Sequence, residues 1–297
     1  MKITKYRFIS HFVSILRIFS KNPSDISPNP FFIVGSGRNG STLLASILNA
    51  HKDIFIPPEQ FFLPYIIMKR YLMFFWSAGK LKSYILETIN KKEKTLNWNA
   101  NLCNLKVYSK DIPTIINNIY RSYAAKKKGE IKVWGDKTPI NIHFMNFIYP
   151  EFYNAKYIFL VRDPRDVVLS YKKLKKHKAY NTKYALWKWM DSIKKLKYLE
   201  DKTEVLIVKY ENLVKEPKIE ISRILQYLDL EVDTSILTVK YKAEEMGVGN
   251  KSHHKNLNLP ISDTSIGKWK SNLSELDLSF FQQEDVKNMM KYFGYKL

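Results

Sequence analysis

Between Phe31 and Leu44 the chain reads FFIVGSGRNGSTLL, an apolar run that gives way to Gly, Ser and Arg and then to a helix-forming stretch. Those residue types at that spacing suit an anion. Gly35, Gly37 and Gly40 let the backbone curl so that several N–H groups face one point, and the helix that follows adds unpaired amides and partial positive charge. Arg38 adds a full charge. The interval from Gly35 to Gly40 equals that between the outer glycines of a Walker A loop, but Ser41 stands where that loop carries its lysine. The clamp on a β,γ-phosphate pair is missing, which speaks against ATP or GTP. YIFLVRDPRDVVLSYKK, from Tyr157 to Lys173, repeats the strand-to-helix build with side chains in place of glycine. Arg162 closes its apolar run, and Asp163 before Pro164 reads as an N-cap with proline in the first turn. Ser170 then falls about two turns into the helix, within reach of a phosphate shared with Arg162. Two anion sites on one sheet imply a ligand with two phosphate-like ends.

Three further strings accompany them: GDKTP at Gly135–Pro139, VKYENLVKEP at Val208–Pro217 and IGKWKSNLS at Ile266–Ser274. With these five strings in order, the chain after residue 30 resembles the sulfotransferases that use 3'-phosphoadenosine 5'-phosphosulfate (PAPS). Within that family it looks like the group containing the tyrosylprotein and many bacterial carbohydrate sulfotransferases. The resemblance implies that Arg38, Asn39, Gly40, Ser41 and Thr42 hold the 5'-phosphosulfate, that Arg162 and Ser170 hold the 3'-phosphate, and that Tyr210 and Lys268 contact the nucleotide. It also implies Glu59, 21 residues after Arg38, as the general base, and Lys137 as a catalytic lysine acting with Arg38. Sulfuryl transfer needs a base for the acceptor proton, positive charge on the leaving oxygen and in-line positioning. No metal is obligatory. The SHH string at Ser252–His254 is a candidate for the loop covering the nucleotide, and no second ligand cluster accompanies it, so no metal site is read. If Glu59 is not the base, His51, His143 and His253 are next in line.

Two departures bear on the acceptor. Tyrosylprotein members carry arginines two and six residues after the base, where this chain has Phe61 and Tyr65. The arginine they carry four residues after the 3'-phosphate serine falls at Leu174, leaving Lys173, Lys175 or Lys176 to supply that charge. The aromatic run from Phe61 to Trp76 suits a flat apolar face, so the expected acceptor is a hydroxyl on a carbohydrate or lipid headgroup. The alternatives are a protein tyrosine and, from a different class, a P-loop nucleotide kinase.

The 49 Lys and Arg against 28 Asp and Glu give a net charge of +21, enough to attract anionic partners. No RNA-binding aromatic string, helix-turn-helix or zinc-finger spacing accompanies that charge, and the basic residues are scattered, so no specific nucleic acid is expected. Cys103 is the only cysteine, which rules out an intrachain disulfide and makes the cytoplasm the default compartment. Residues 1–29 read as a basic amphipathic segment, interrupted by Arg7, His11 and Arg17 and short of the ~20 apolar residues of a transmembrane span. Residues 1–20 are the expected site of any peripheral membrane contact.

Those groups need a scaffold. Phe31–Val34, Lys132–Trp134, Tyr157–Val161 and Val205–Val208 are short apolar runs separated by helical patterns. Leu186, Met190, Ile193 and Leu196 mark one helix face after Asn181, and Ile221, Ile224, Leu225 and Leu228 mark another after Pro217. Residues 60–125 are helical by pattern and are expected to cap the acceptor side. The order predicts an α/β, P-loop-like three-layer fold, a central parallel sheet flanked by helices, as a single sulfotransferase domain over residues 30–297. The ligand is expected across the C-terminal ends of the strands.

Overall fold

The computed structural model describes residues 13, 15–18, 23–59, 61–96, 110–174, 180–238 and 261–296. Cys103, Lys175, Lys176, Ser252–His254 and most of residues 1–22 lie outside them. The strands are β1 (Phe31–Val34), β2 (Ile54–Phe55), β3 (Val133–Lys137), β4 (Lys156–Val161) and β5 (Val205–Lys209). They pair in parallel in the order β2-β3-β1-β4-β5. β2 has two residues, too few to show a period in the sequence. β3 runs three residues past the expected Trp134, which places the GDK of GDKTP inside the strand. Gly135 permits this: a Cβ there would lie 2.3 Å from the ring of Phe31, its register partner on β1.

The helices are α1 (Ser41–Asn49), α2 (Leu63–Leu72), α3 (Ala78–Leu96), α4 (Ile112–Lys127), α5 (Met145–Ile148), α6 (Pro164–Lys172), α7 (Thr182–Glu200), α8 (Tyr210–Lys215), α9 (Pro217–Tyr227), α10 (Glu275–Ser279) and α11 (Glu284–Tyr292). Strand pleating sends alternate residues to opposite faces. Phe31, Ile33, Ile158 and Leu160 pack with Leu44 and Leu48 of α1 and Ile221, Ile224 and Leu225 of α9. Phe32, Tyr157, Phe159 and Val161 pack into a larger core with α4, α6 and α7. The sheet is therefore buried on both sides, as its continuous apolar strands require. At the N-terminal end Val13 is buried in that larger core, and Arg17 pairs with Glu151 at 3.7 Å. Among the described residues no helix is long and apolar enough to cross a membrane.

β1 lies at the centre of the sheet. The chain leaves it toward β2 and β3 on one side and returns to β4 on the other, so the crevice above β1 is the topological switch point where ligands of such sheets sit.

Candidate active site

The turn after β1 is built from backbone. Gly35, Gly37, Arg38 and Gly40 have φ values of +152°, +78°, +55° and +90°. All three glycines lack room for a side chain, Gly37 because its Cβ would lie 2.6 Å from Tyr171 Oη. A Cβ on Gly35 would lie 2.4 Å from the Leu160 carbonyl, and one on Gly40 would lie 2.4 Å from the Tyr210 ring. Arg38 holds its left-handed backbone without glycine's freedom, at a cost of about 1–2 kcal/mol. Gly40 caps α1 with no side-chain hydrogen bond, so among the described residues no N-cap side chain satisfies the first amides of that helix. Asn39 is fully buried and donates from Nδ2 to the Leu160 carbonyl at 2.6 Å, which ties the turn to β4 and directs its donor at the strand. Ser41 is buried at the first helical position, with Thr42 half-buried beside it.

The second loop meets the first through Ser170, Arg162 and Tyr171. Arg38 Nε donates to Ser170 Oγ at 3.0 Å. Ser170, expected to share a phosphate with Arg162, is thus paired with Arg38. Nearly two turns of α6 carry Ser170 about 9 Å along the axis. Arg162 spans the first loop and the C-terminal segment: one Nη donates to the Arg38 carbonyl at 3.4 Å, the other to the Ser265 carbonyl at 2.6 Å, and its guanidinium lies 4.3 Å from the centre of the Tyr210 ring. Its Nε is buried and has no hydrogen-bond partner among the described residues. Asp163 caps α6 by accepting from Arg165 N at 2.9 Å, the arrangement expected of Asp-Pro. Tyr210 opens α8 directly after β5 and touches both loops, through Arg162 and through Gly40. Lys268 is exposed, on the short turn Lys268–Ser271. That turn is docked on α6 by Asp166, which accepts from Gly267 N at 2.7 Å and Trp269 N at 3.1 Å.

Lys137 ends β3 with a fully buried side chain, and its Nζ lies 3.0 Å from Glu59 Oε1. Glu59 follows β2 through Pro57 and Pro58 and keeps its side chain about one-third exposed, at 32 %. The carboxylate and the ammonium therefore meet past the C-terminal ends of β2 and β3. Asp136, beside Lys137, accepts from Tyr120 Oη at 2.5 Å and Asn141 Nδ2 at 3.0 Å. Burial pushes its pKa up to about 6, against the hydrogen bonds of Tyr120 and Thr138 and the charge of Lys137.

Several residues of this site carried no motif. Lys188, in α7, is buried and donates to Tyr171 Oη at 2.6 Å, and Tyr171 Oη donates to the Ser36 carbonyl at 2.9 Å. The available signal was a lysine in register with Ala185 and Ser192 on the inward face of a helix. Asp191, one turn further, lies 2.6 Å from His143 Nδ1, and His143 Nε2 is buried with no hydrogen-bond partner among the described residues. Burial lowers the His143 pKa, against the pull of Asp191. His51 uses both ring nitrogens on backbone, with Asp53 N and the Glu231 carbonyl. Among the described residues no group of three His, Cys, Asp or Glu side chains is placed to hold a metal.

Every principal group stands just past the C-terminal end of a parallel strand, and a profile of the sulfotransferase family matches residues 30–234. The chain belongs to the sulfotransferase family. A Caenorhabditis briggsae protein that carries the name protein-tyrosine sulfotransferase is 27 % identical over 213 residues, 69 % of this chain and 67 % of that protein. The protein-tyrosine sulfotransferase of Drosophila melanogaster is 24 % identical over 216 residues, 69 % of this chain and 39 % of its own length. The sulfotransferase domain of the curacin biosynthetic pathway superposes with a TM-score of 0.65 at 20 % identity, over 92 % of this chain and 100 % of that domain. That last likeness establishes a shared fold. As a sulfotransferase the chain is an enzyme, and the kinase alternative falls away.

Proposed function

We propose that this sulfotransferase moves the sulfuryl group of PAPS to a hydroxyl acceptor, with Glu59 as general base. The observation that carries the reading is the Lys137–Glu59 contact at 3.0 Å, in a crevice whose other wall is the anion-binding turn and Arg38. The acceptor O–H gives its proton to the Glu59 carboxylate while its oxygen attacks sulfur. The S–O bond to the 5'-phosphate breaks in line, and its electron pair stays on the phosphate oxygen, releasing adenosine 3',5'-bisphosphate (PAP). Lys137 and Arg38 neutralise the charge growing on that oxygen, an effect that is strong in a site with little water. Thr42, Ser41 and the amides that open α1 take the phosphate oxygens. Arg162, with its unpartnered Nε, receives the 3'-phosphate, with Ser170 reaching it once Arg38 turns to the phosphosulfate, and Tyr210 and Lys268 flank the nucleotide. No step calls for a metal ion.

The names of the two relatives favour a tyrosyl hydroxyl as the acceptor, ahead of the carbohydrate or lipid headgroup suggested by Phe61 and Tyr65. The high positive charge of the chain suits an acidic peptide. Phe61, on the acceptor side of Glu59 and 37 % exposed, offers a flat apolar surface to either class.

Sulfate transfer from PAPS to tyrosyl peptide, sugar and lipid acceptors tests the reading, with nucleotide affinity taken on the same variants. Glu59→Gln is expected to leave PAP binding nearly intact and to lower kcat by about 10² to 10⁴ fold. Retention of more than about a tenth of the wild-type kcat removes Glu59 as the base and turns attention to the His143–Asp191 pair. Stabilisation by Mg-ATP equal to that by metal-free PAP overturns the choice of co-substrate.

A further inference from the structure

α7 turns one face into the larger core, where Ala185, Trp189, Ser192 and Ile193 are buried. Lys188 sits on that face with 8 % exposure. An ammonium placed there gives up most of its hydration and gains little unless a partner restores it. Among the described residues no carboxylate pairs with it, and its hydrogen bond is the one to Tyr171 Oη. The scheme above leaves this charge unused.

Its location is specific. Tyr171 Oη bridges from Lys188 to the Ser36 carbonyl, and a Cβ built on Gly37 would lie 2.6 Å from that oxygen and 3.9 Å from Lys188 Nζ. The ammonium therefore stands against the turn Ser36–Arg38. The charged and titratable groups that face it are Arg38 from that turn, Glu59 from the segment after β2, Tyr171 from α6 and His143 from the turn after β3. These line the transfer side of the crevice. The groups assigned to the 3'-phosphate and nucleotide reach the turn from its other side: Arg162 donates to the Arg38 carbonyl at 3.4 Å and stacks on Tyr210, which lies against Gly40.

We propose that Lys188 recognises the transferable sulfonate of the phosphosulfate, its ammonium carried to the Ser36–Arg38 turn by Tyr171. The inference rests on the reading of that turn as the PAPS site. Burial pushes the Lys188 pKa down to about 8, with Glu59 raising it and Arg38 lowering it, and the sulfonate charge restores the proton. The missing counter-charge of the free protein is thus supplied by the substrate.

Titration calorimetry of PAP and PAPS separates the two readings, because only PAPS carries the sulfonate. Failure of the wild type to bind PAP rejects the site itself. Given PAP binding, Lys188→Met is expected to lower PAPS affinity at least about ten-fold while changing PAP affinity less than about three-fold, with Lys188→Arg retaining part of the preference. An equal loss on both ligands, or none on either, overturns the proposal. The wild type supplies a check that needs no variant. At pH 8.5, in buffers of different ionisation enthalpy, PAPS binding should take up protons and PAP binding should not. Equal uptake for the two ligands also overturns it.

Discussion

The two anion loops solve one problem by opposite means. The turn after β1 is backbone in left-handed conformations, with no side-chain cap on α1 among the described residues. The turn after β4 is a proline-started helix whose first amides are partly satisfied by Asp163, so the anion binding proposed for it falls to the Arg162 and Ser170 side chains. A backbone site fixes the position of its ligand and tolerates no added atoms. A side-chain site tolerates substitution and gives up affinity in steps. The Arg38–Ser170 bond joins the two kinds.

The sharpest way to break that contrast is Gly35→Ala. Its Cβ would overlap a backbone carbonyl of β4, so a loss of about 3 kcal/mol or more is expected, seen as a fall of several degrees in Tm with binding lost as well. Arg162→Ala, in the side-chain loop, should leave Tm nearly unchanged and weaken PAP by about ten-fold to a thousand-fold, read by calorimetry. A large Tm loss there would erase the distinction. A third test uses pH. Lys188 binds its proton less tightly folded than unfolded, with a pKa lowered from 10.5 to about 8. The unfolded chain thus holds more protons between those values, and stability should rise from pH 8 to 10.5 by up to about 3 kcal/mol. Denaturant midpoints of wild type and Lys188→Met isolate this slope, which the variant should lack. The smallest effect concerns Arg38. Arg38→Gly and Arg38→Ala lose the same side chain, but only glycine relieves the left-handed backbone, so the glycine variant should be the more stable by about 1 kcal/mol in denaturant melts.

The same contrast explains what the sequence disclosed. Glycines at Gly35, Gly37 and Gly40 and the Asp163-Pro164 pair are local devices, so both loops were readable, and the apolar runs located four of the five strands. β2 was not, because two residues carry no period. Glu59 and Lys137 were placed by likeness to a family, and their contact crosses 78 residues of sequence. Spacing along α6 offered Ser170 to a phosphate shared with Arg162, and it says nothing of a second arginine, Arg38, arriving from β1. Lys188 and Tyr171 were missed for a related reason. Their helix patterns read as core faces, and only the packed crevice distinguishes a polar atom aimed at a ligand from one left in the core.

The turn around Gly267 has a consequence for the order in which the protein is made. Asp166 and Arg162 bind the backbone of residues 265–269, and the Arg165 guanidinium lies 3.8 Å from the centre of the Trp269 ring. When synthesis has reached residue 238, every strand, both loops, Glu59 and Lys188 already exist, while the segment that covers Arg162 does not. A nascent chain at that length carries the residues proposed for sulfuryl transfer and lacks the segment that binds Arg162. On the PAPS reading, full affinity for the nucleotide is acquired late in synthesis, when Arg162 meets a carbonyl more than a hundred residues downstream.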